Sequence, residues 1–132
     1  MSARNPERAA DYWLELALGD LLAARELATN AAVPSRCAAS FAHQAAETAL
    51  KAIVADAGAE PPSTHDLVRL AQQARTTVTL SANVDDLRLL TDAHIQAQYP
   101  DPLVPPYAAA DVWSMLQIAS SIVSAAQRAN RA

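Results

Sequence analysis

With 132 residues and 14.0 kDa, the chain has room for one domain and no second core, so it reads as a single unit over 1–132. Apolar residues make up 52% and charged residues 18%, which allows a buried core and excludes intrinsic disorder. A net charge of −4 and a pI near 5.2 argue against sequence-independent coating of DNA and leave only a local patch for contact with RNA.

Thirty-two Ala, two Gly and 5% aromatics suit helices and not a twisted sheet, because Ala loses no side-chain entropy in a helix. The expected fold class is all-α, an up-and-down bundle of four or five helices. The apolar runs are far shorter than the roughly 20 residues of a bilayer-spanning helix, and acidic residues stand where a signal peptide would be basic and then apolar. One cysteine makes neither an internal disulfide nor a Cys-based zinc site. These features predict a soluble, untargeted, cytoplasmic protein with no membrane partner.

In chain order, the first segment runs from about Pro6 to Thr29, with Asn5 as its N-cap and Pro6 at the first helical position. At about 100° per residue, Ala9, Trp13, Leu16, Ala17, Leu21, Ala24, Leu27 and Ala28 share one face, and Arg8, Asp11, Glu15 and Glu26 lie opposite. Asp20 falls inside the apolar sector. It therefore needs a partner or a place at the sector's wet edge.

The second segment, about Ser35 to Ala57, stops at Gly58. Cys37, Ala38, Phe41, Ala42, Ala45, Ala46, Ala49 and Ile53 form a stripe of mostly small residues, which permits close approach of a neighbouring helix. Around the other side run Ser40, Gln44, Glu47 and Lys51; taken alone, that row reads as a solvated face carrying an i,i+4 Glu–Lys pair. The third segment, about His65 to Arg75, is capped by Ser63 or Thr64 and has Asp66 in its first turn. The fourth, about Val84 to Ala97, is announced by Asn83 and Asp85-Asp86, and Leu87, Leu90, His94 and Ala97 recur at helical spacing. The fifth, about Tyr107 to Ala129, is apolar on two flanks. Val112, Leu116, Ala119 and Val123 face the bundle, and Met115, Ile118 and Ile122 are expected to meet another chain.

No Gly-rich phosphate loop, HExxH or nucleophile elbow occurs. His43, His65 and His94 are isolated from one another in sequence, and the Glu-x-x-His pairs of di-iron bundles are missing, so no metal and no cofactor are expected.

Three stretches nevertheless form a pattern: Phe41-Ala42-His43-Gln44-Ala45-Ala46-Glu47-Thr48-Ala49-Leu50-Lys51-Ala52, then Thr64-His65-Asp66-Leu67, then Gln98-Tyr99-Pro100-Asp101. Together with Trp13, Ala17, Asp20-Leu21, Ala24 and Leu27, they resemble prokaryotic HEPN domains over nearly the whole chain. The resemblance implies a helical bundle that forms a homodimer. It also implies a minimal nucleotidyltransferase as partner, in a toxin–antitoxin-type or related two-component system. Some HEPN domains bind nucleotides, and others are metal-independent ribonucleases that pair an Arg and a nearby His across the dimer interface, a cation steadying phosphate and an imidazole moving a proton.

Arg36 with His43 and Arg88 with His94 fit the ribonuclease spacing, and Arg88 with His94 is the better placed, late in the bundle ahead of the proline-rich loop. The residue after Arg88 is Leu89, however, and the residue two beyond His94 is Gln96, where a polar residue and a Tyr would complete the pattern. Gln98 stands where Arg would precede Tyr-Pro-Asp, which replaces a bidentate phosphate donor with a neutral amide. The expected role is thus a binding module for a protein partner and a nucleotide or RNA, with no DNA. Its ligand-binding candidates are Gln44, Glu47, Lys51, His65, Tyr99 and Asp101. The alternative is a metal-independent endoribonuclease acting through Arg88 and His94.

Overall fold

The computed structural model describes residues 6–131, which form five α-helices and, among the described residues, no strand. These are α1 (Pro6–Ala28), α2 (Ser35–Asp56), α3 (Leu67–Ala74), α4 (Val84–Gln98) and α5 (Ala109–Arg131). The all-α bundle follows the expectation, and Pro6 does open α1; the proposed cap Asn5 lies outside the described residues.

The order is set by α2, which packs against each of the other four helices. Its Ala38, Ala39, Ala42, Ala45, Ala46, Ala49 and Ala52 are all essentially inaccessible. Side chains this small let neighbouring backbones close in from several directions. From Ala42 to Ala55 every residue except Gln44 is buried. Larger side chains close the layer around it: Leu50 and Ile53 from α2, Leu67 and Leu70 from α3, Leu87 and Leu90 from α4, Met115 and Ile122 from α5.

Local chemistry fixes the ends. Gly58 takes the left-handed conformation, φ 84°, and its N–H donates to the Ala55 carbonyl as α2 unwinds. Asn83 and Asp86 form a reciprocal capping box at the start of α4. The polar stretch between α3 and α4 is tied down by the Arg75 guanidinium, which donates to the Ala82 carbonyl.

Several expectations are corrected. On α1 the buried line is Ala10, Ala17, Leu21 and Ala24, whereas Leu16 and Ala28 are exposed; on α2, Phe41 is exposed and Cys37 half-buried. The row of Glu47 and Lys51 is not a solvated face, because α2 has neighbours on every side there. In α3 the cap is Asp66, whose carboxylate accepts from the N–H groups of Val68 and Arg69, so His65 lies in the lead-in and not in the helix. The second flank of α5, expected to meet another chain, is not a free surface: Met115 and Ile122 are buried in this chain's own core, and Ile118 packs against it. A helix apolar on two flanks needs two partners, and here α2 and its own neighbours supply both.

Candidate functional site

His43, Glu47 and Lys51 stand at i, i+4 and i+8 on α2, which places them in one row along the helix. Glu47 is the hub. Its Oε2 accepts from Lys51 Nζ at 3.1 Å, and its Oε1 accepts from His65 Nδ1 at 2.6 Å. Glu47 and Lys51 are both buried, while the His65 side chain is 69% exposed, so the carboxylate grips the ring by one nitrogen and leaves most of it to solvent. Lys51, the only lysine in the sequence, also sits 5.2 Å from the centre of the Trp13 ring on α1.

The lead-in to α3 delivers His65. Because Asp66 caps α3 from outside the helix, the residue before it is free to turn toward α2, and Asp66 N–H is held by Thr64 Oγ1. The His65 carbonyl accepts from His43 Nε2 at 3.3 Å, so this one residue contacts α2 twice, by ring and by backbone.

From α4, His94 completes the cluster. Its ring stacks on His43 with centroids 4.2 Å apart and planes 14° from parallel, and it lies 5.7 Å from the His65 ring. All three histidines of the chain therefore meet in one place, which their separation in sequence concealed. Burial, and then the neighbouring His94, push His43 down to about 4, against the pull of Glu47. Burial and then His65 also lower His94. Both rings are neutral at pH 7. Parallel stacked rings point their nitrogens past each other, and among the described residues no group of three or more His, Cys, Asp or Glu is arranged to hold a metal ion.

Asp20 approaches the hub from α1. It is half-buried, at the wet edge of its sector, and desolvation followed by the charge of Glu47 raises its carboxyl above the ordinary value.

Of the sequence candidates, Glu47, Lys51 and His65 come together, with Gln44 half-buried one turn before Glu47 on α2. Tyr99 stands apart, 75% exposed at the C-terminal end of α4. Asp101 accepts from the Leu103 N–H and lines a different cleft, with Arg36, Gln96 and Tyr107. Arg88 is exposed, whereas His94, about 240° further around α4, is only 6% exposed. Sequence reasoning missed His43 as a member of the cluster, although the i, i+4, i+8 row with Glu47 and Lys51 carried the signal.

A helical bundle wrapped around a central helix, with a self-neutralised polar cluster where α2, α4 and the lead-in to α3 meet, is the class these observations define. The family model described as the HEPN domain matches residues 10–129, and the chain belongs to that family. Among solved structures it is similar to TT1696 from Thermus thermophilus, with a TM-score of 0.78 and 25% identity over 91% of this chain and 97% of that one. It shares its fold with ST0689, an archaeal HEPN homologue, at a TM-score of 0.64 and 22% identity over 90% of this chain and 95% of that one. No curated protein matches the chain.

Proposed function

We propose that this HEPN chain is a cytoplasmic, single-domain binding module. It acts as a homodimer with a minimal nucleotidyltransferase partner in a toxin–antitoxin-type or related two-component system, and it takes a nucleotide or RNA at the face around Gln44, Glu47, Lys51 and His65. The observation that carries this reading is the commitment of the would-be catalytic groups elsewhere: His94 is buried and stacked on His43, and Arg88 lies on a different side of α4. Cleaving a phosphodiester needs a cation and a proton-transferring imidazole on the same phosphate. His65 offers binding chemistry instead, an accessible ring with its tautomer set by Glu47.

The dimer is supported by a groove of about 1080 Å³ between the end of α1 and the start of α5, where Leu27, Val112 and Leu116 form an apolar floor and Trp113 is 62% exposed. Large aromatics in such positions are the usual anchors of protein interfaces.

The test is incubation of RNA with the protein and with Arg88→Ala and His94→Ala variants, beside a thermal-shift series of nucleotides against wild type and His65→Ala. The reading expects no cleavage, and stabilisation by a nucleotide that His65→Ala removes. Cleavage abolished by both Arg88→Ala and His94→Ala, with folding intact, would replace the binding module with a ribonuclease.

A further inference from the structure

Two imidazoles packed face to face in the interior are an unusual way to fill a helix interface. His43 Nε2–H is used, but His43 Nδ1 and both ring nitrogens of His94 have no hydrogen-bond partner among the described residues. Buried polar atoms left unpaired are destabilising, and a Leu or Phe at either position would supply the packing without that cost. What an aliphatic or phenyl side chain could not supply is a response to protons.

The surroundings decide the direction of that response. The charged and titratable groups acting on the pair are Glu47 from α2 and His65 from the lead-in to α3; Lys51 lies beyond Glu47 on α2, and Asp20 reaches the same carboxylate from α1. Glu47 favours a charged ring at both positions and the His65 carbonyl does so at His43, but that carbonyl already accepts from His43 Nε2 in the neutral state and both Glu47 oxygens already accept from Lys51 and His65. A proton arriving on either stacked ring therefore meets desolvation and a neighbouring imidazole, with no free carboxylate to hold it.

We infer that the His43–His94 stack is an acid-opened latch between α2 and α4: the neutral rings hold α4 and the lead-in to α3 against α2, and protonation releases them and uncovers Glu47. Opening is a property of the free protein and does not depend on the ligand or partner proposed above. A ring that is neutral when closed and ordinary when open, with an open-state pKa of about 6.5, multiplies the open-to-closed ratio by about thirty at pH 5, and the two rings together by at most about a thousand. At pH 7.5 the same factor is about one, so the latch is silent under neutral conditions.

Native-state amide hydrogen exchange on the full chain tests this, with protection factors corrected for the intrinsic pH dependence of exchange. Between pH 7.5 and 5, residues 84–98 and 63–66 should lose about tenfold or more of their protection while the interiors of α1 and α5 keep theirs. In the double variant His43→Leu/His94→Phe the pH dependence of α4 should vanish. Ring-proton titration by NMR in the wild type keeps the idea testable if that variant fails to fold: both rings should titrate below the ordinary imidazole range while the chain is closed. Protection falling equally in all five helices, or rings titrating near 6.5 with α4 protection unchanged, would overturn the latch.

Discussion

Replacing Glu47 by Gln removes the charge at the hub while nearly preserving its shape. The wild-type carboxylate is buried and accepts from Lys51 at 3.1 Å and His65 at 2.6 Å. A Gln side chain has one acceptor oxygen for these two donors, so its amide N–H₂ must face either the ammonium or the imidazole N–H. Leaving one partner of a buried ion pair uncompensated costs about 3–5 kcal/mol. Two features pull the value toward the lower end. Asp20, raised first by burial, loses the added repulsion of Glu47, and Lys51 keeps its place over Trp13, a contact of about 0.5–2 kcal/mol. The expected loss is about 3 kcal/mol, roughly a hundredfold in the unfolding equilibrium, read by urea denaturation at pH 7 from the helical circular dichroism. Lys51→Met, which keeps the stem and removes the charge, should be less harmful in the Glu47→Gln background than alone, by about 1–3 kcal/mol. Glu47→Gln within about 0.5 kcal/mol of wild type, or strict additivity of the two changes, would refute the account of a coupled buried pair.

Further changes separate the other contributions. Asp20 has a folded-state pKa raised above its unfolded value, so its ionised form opposes folding and stability is lost as pH rises through the folded pKa. Asp20→Asn should therefore raise the melting temperature at pH 7, with the gain fading toward acid; an unchanged or lowered value at pH 7 contradicts this. Leu90→Ala removes a fully buried side chain between α4 and the core and should cost about 2–5 kcal/mol in chemical denaturation, whereas the exposed Leu103→Ala should stay within about 0.5 kcal/mol. Gly58→Ala forces a Cβ into φ 84° with no clash in space, so its cost of about 1–2 kcal/mol, measured as a shift in urea midpoint, comes from the backbone alone.

What the sequence made legible is what is encoded locally. Asn83 three residues before Asp86, Gly58 after an Ala-rich run, and proline breaks between segments each act within a turn or two, so helix limits could be read to within a few residues. The α3 cap was misplaced because Ser63, Thr64 and Asp66 all carry capping side chains, and the choice among them is settled by where the lead-in must run to bring His65 to Glu47. Periodicity states which residues share a face but not how many neighbours that face acquires. For that reason Met115 and Ile122 read as a surface for another chain when they fill this one's core, and Glu47 with Lys51 read as solvated when they are buried.

The Ala-rich composition of α2 and the polar row it carries are two consequences of one position in the bundle. A helix that all four others approach must present small side chains, which is why alanines occupy seven of its buried positions between Ala38 and Ala52. An ionisable residue in the covered stretch of such a helix, here Ala42 to Ala55, is buried as well, and it persists only if its partners are built in. Glu47 meets that condition with one donor from its own helix, Lys51, and one from outside it, His65. His43 meets it only in part, through the His65 carbonyl, and among the described residues His94 has no hydrogen-bond partner at either ring nitrogen. An i, i+4, i+8 row of ionisable residues within an Ala-rich segment is thus a sequence sign of a central helix with a polar cluster at its flank, and the incompletely satisfied rings of that cluster, His43 on α2 and His94 on α4, are where the proposed change of protonation acts on the fold.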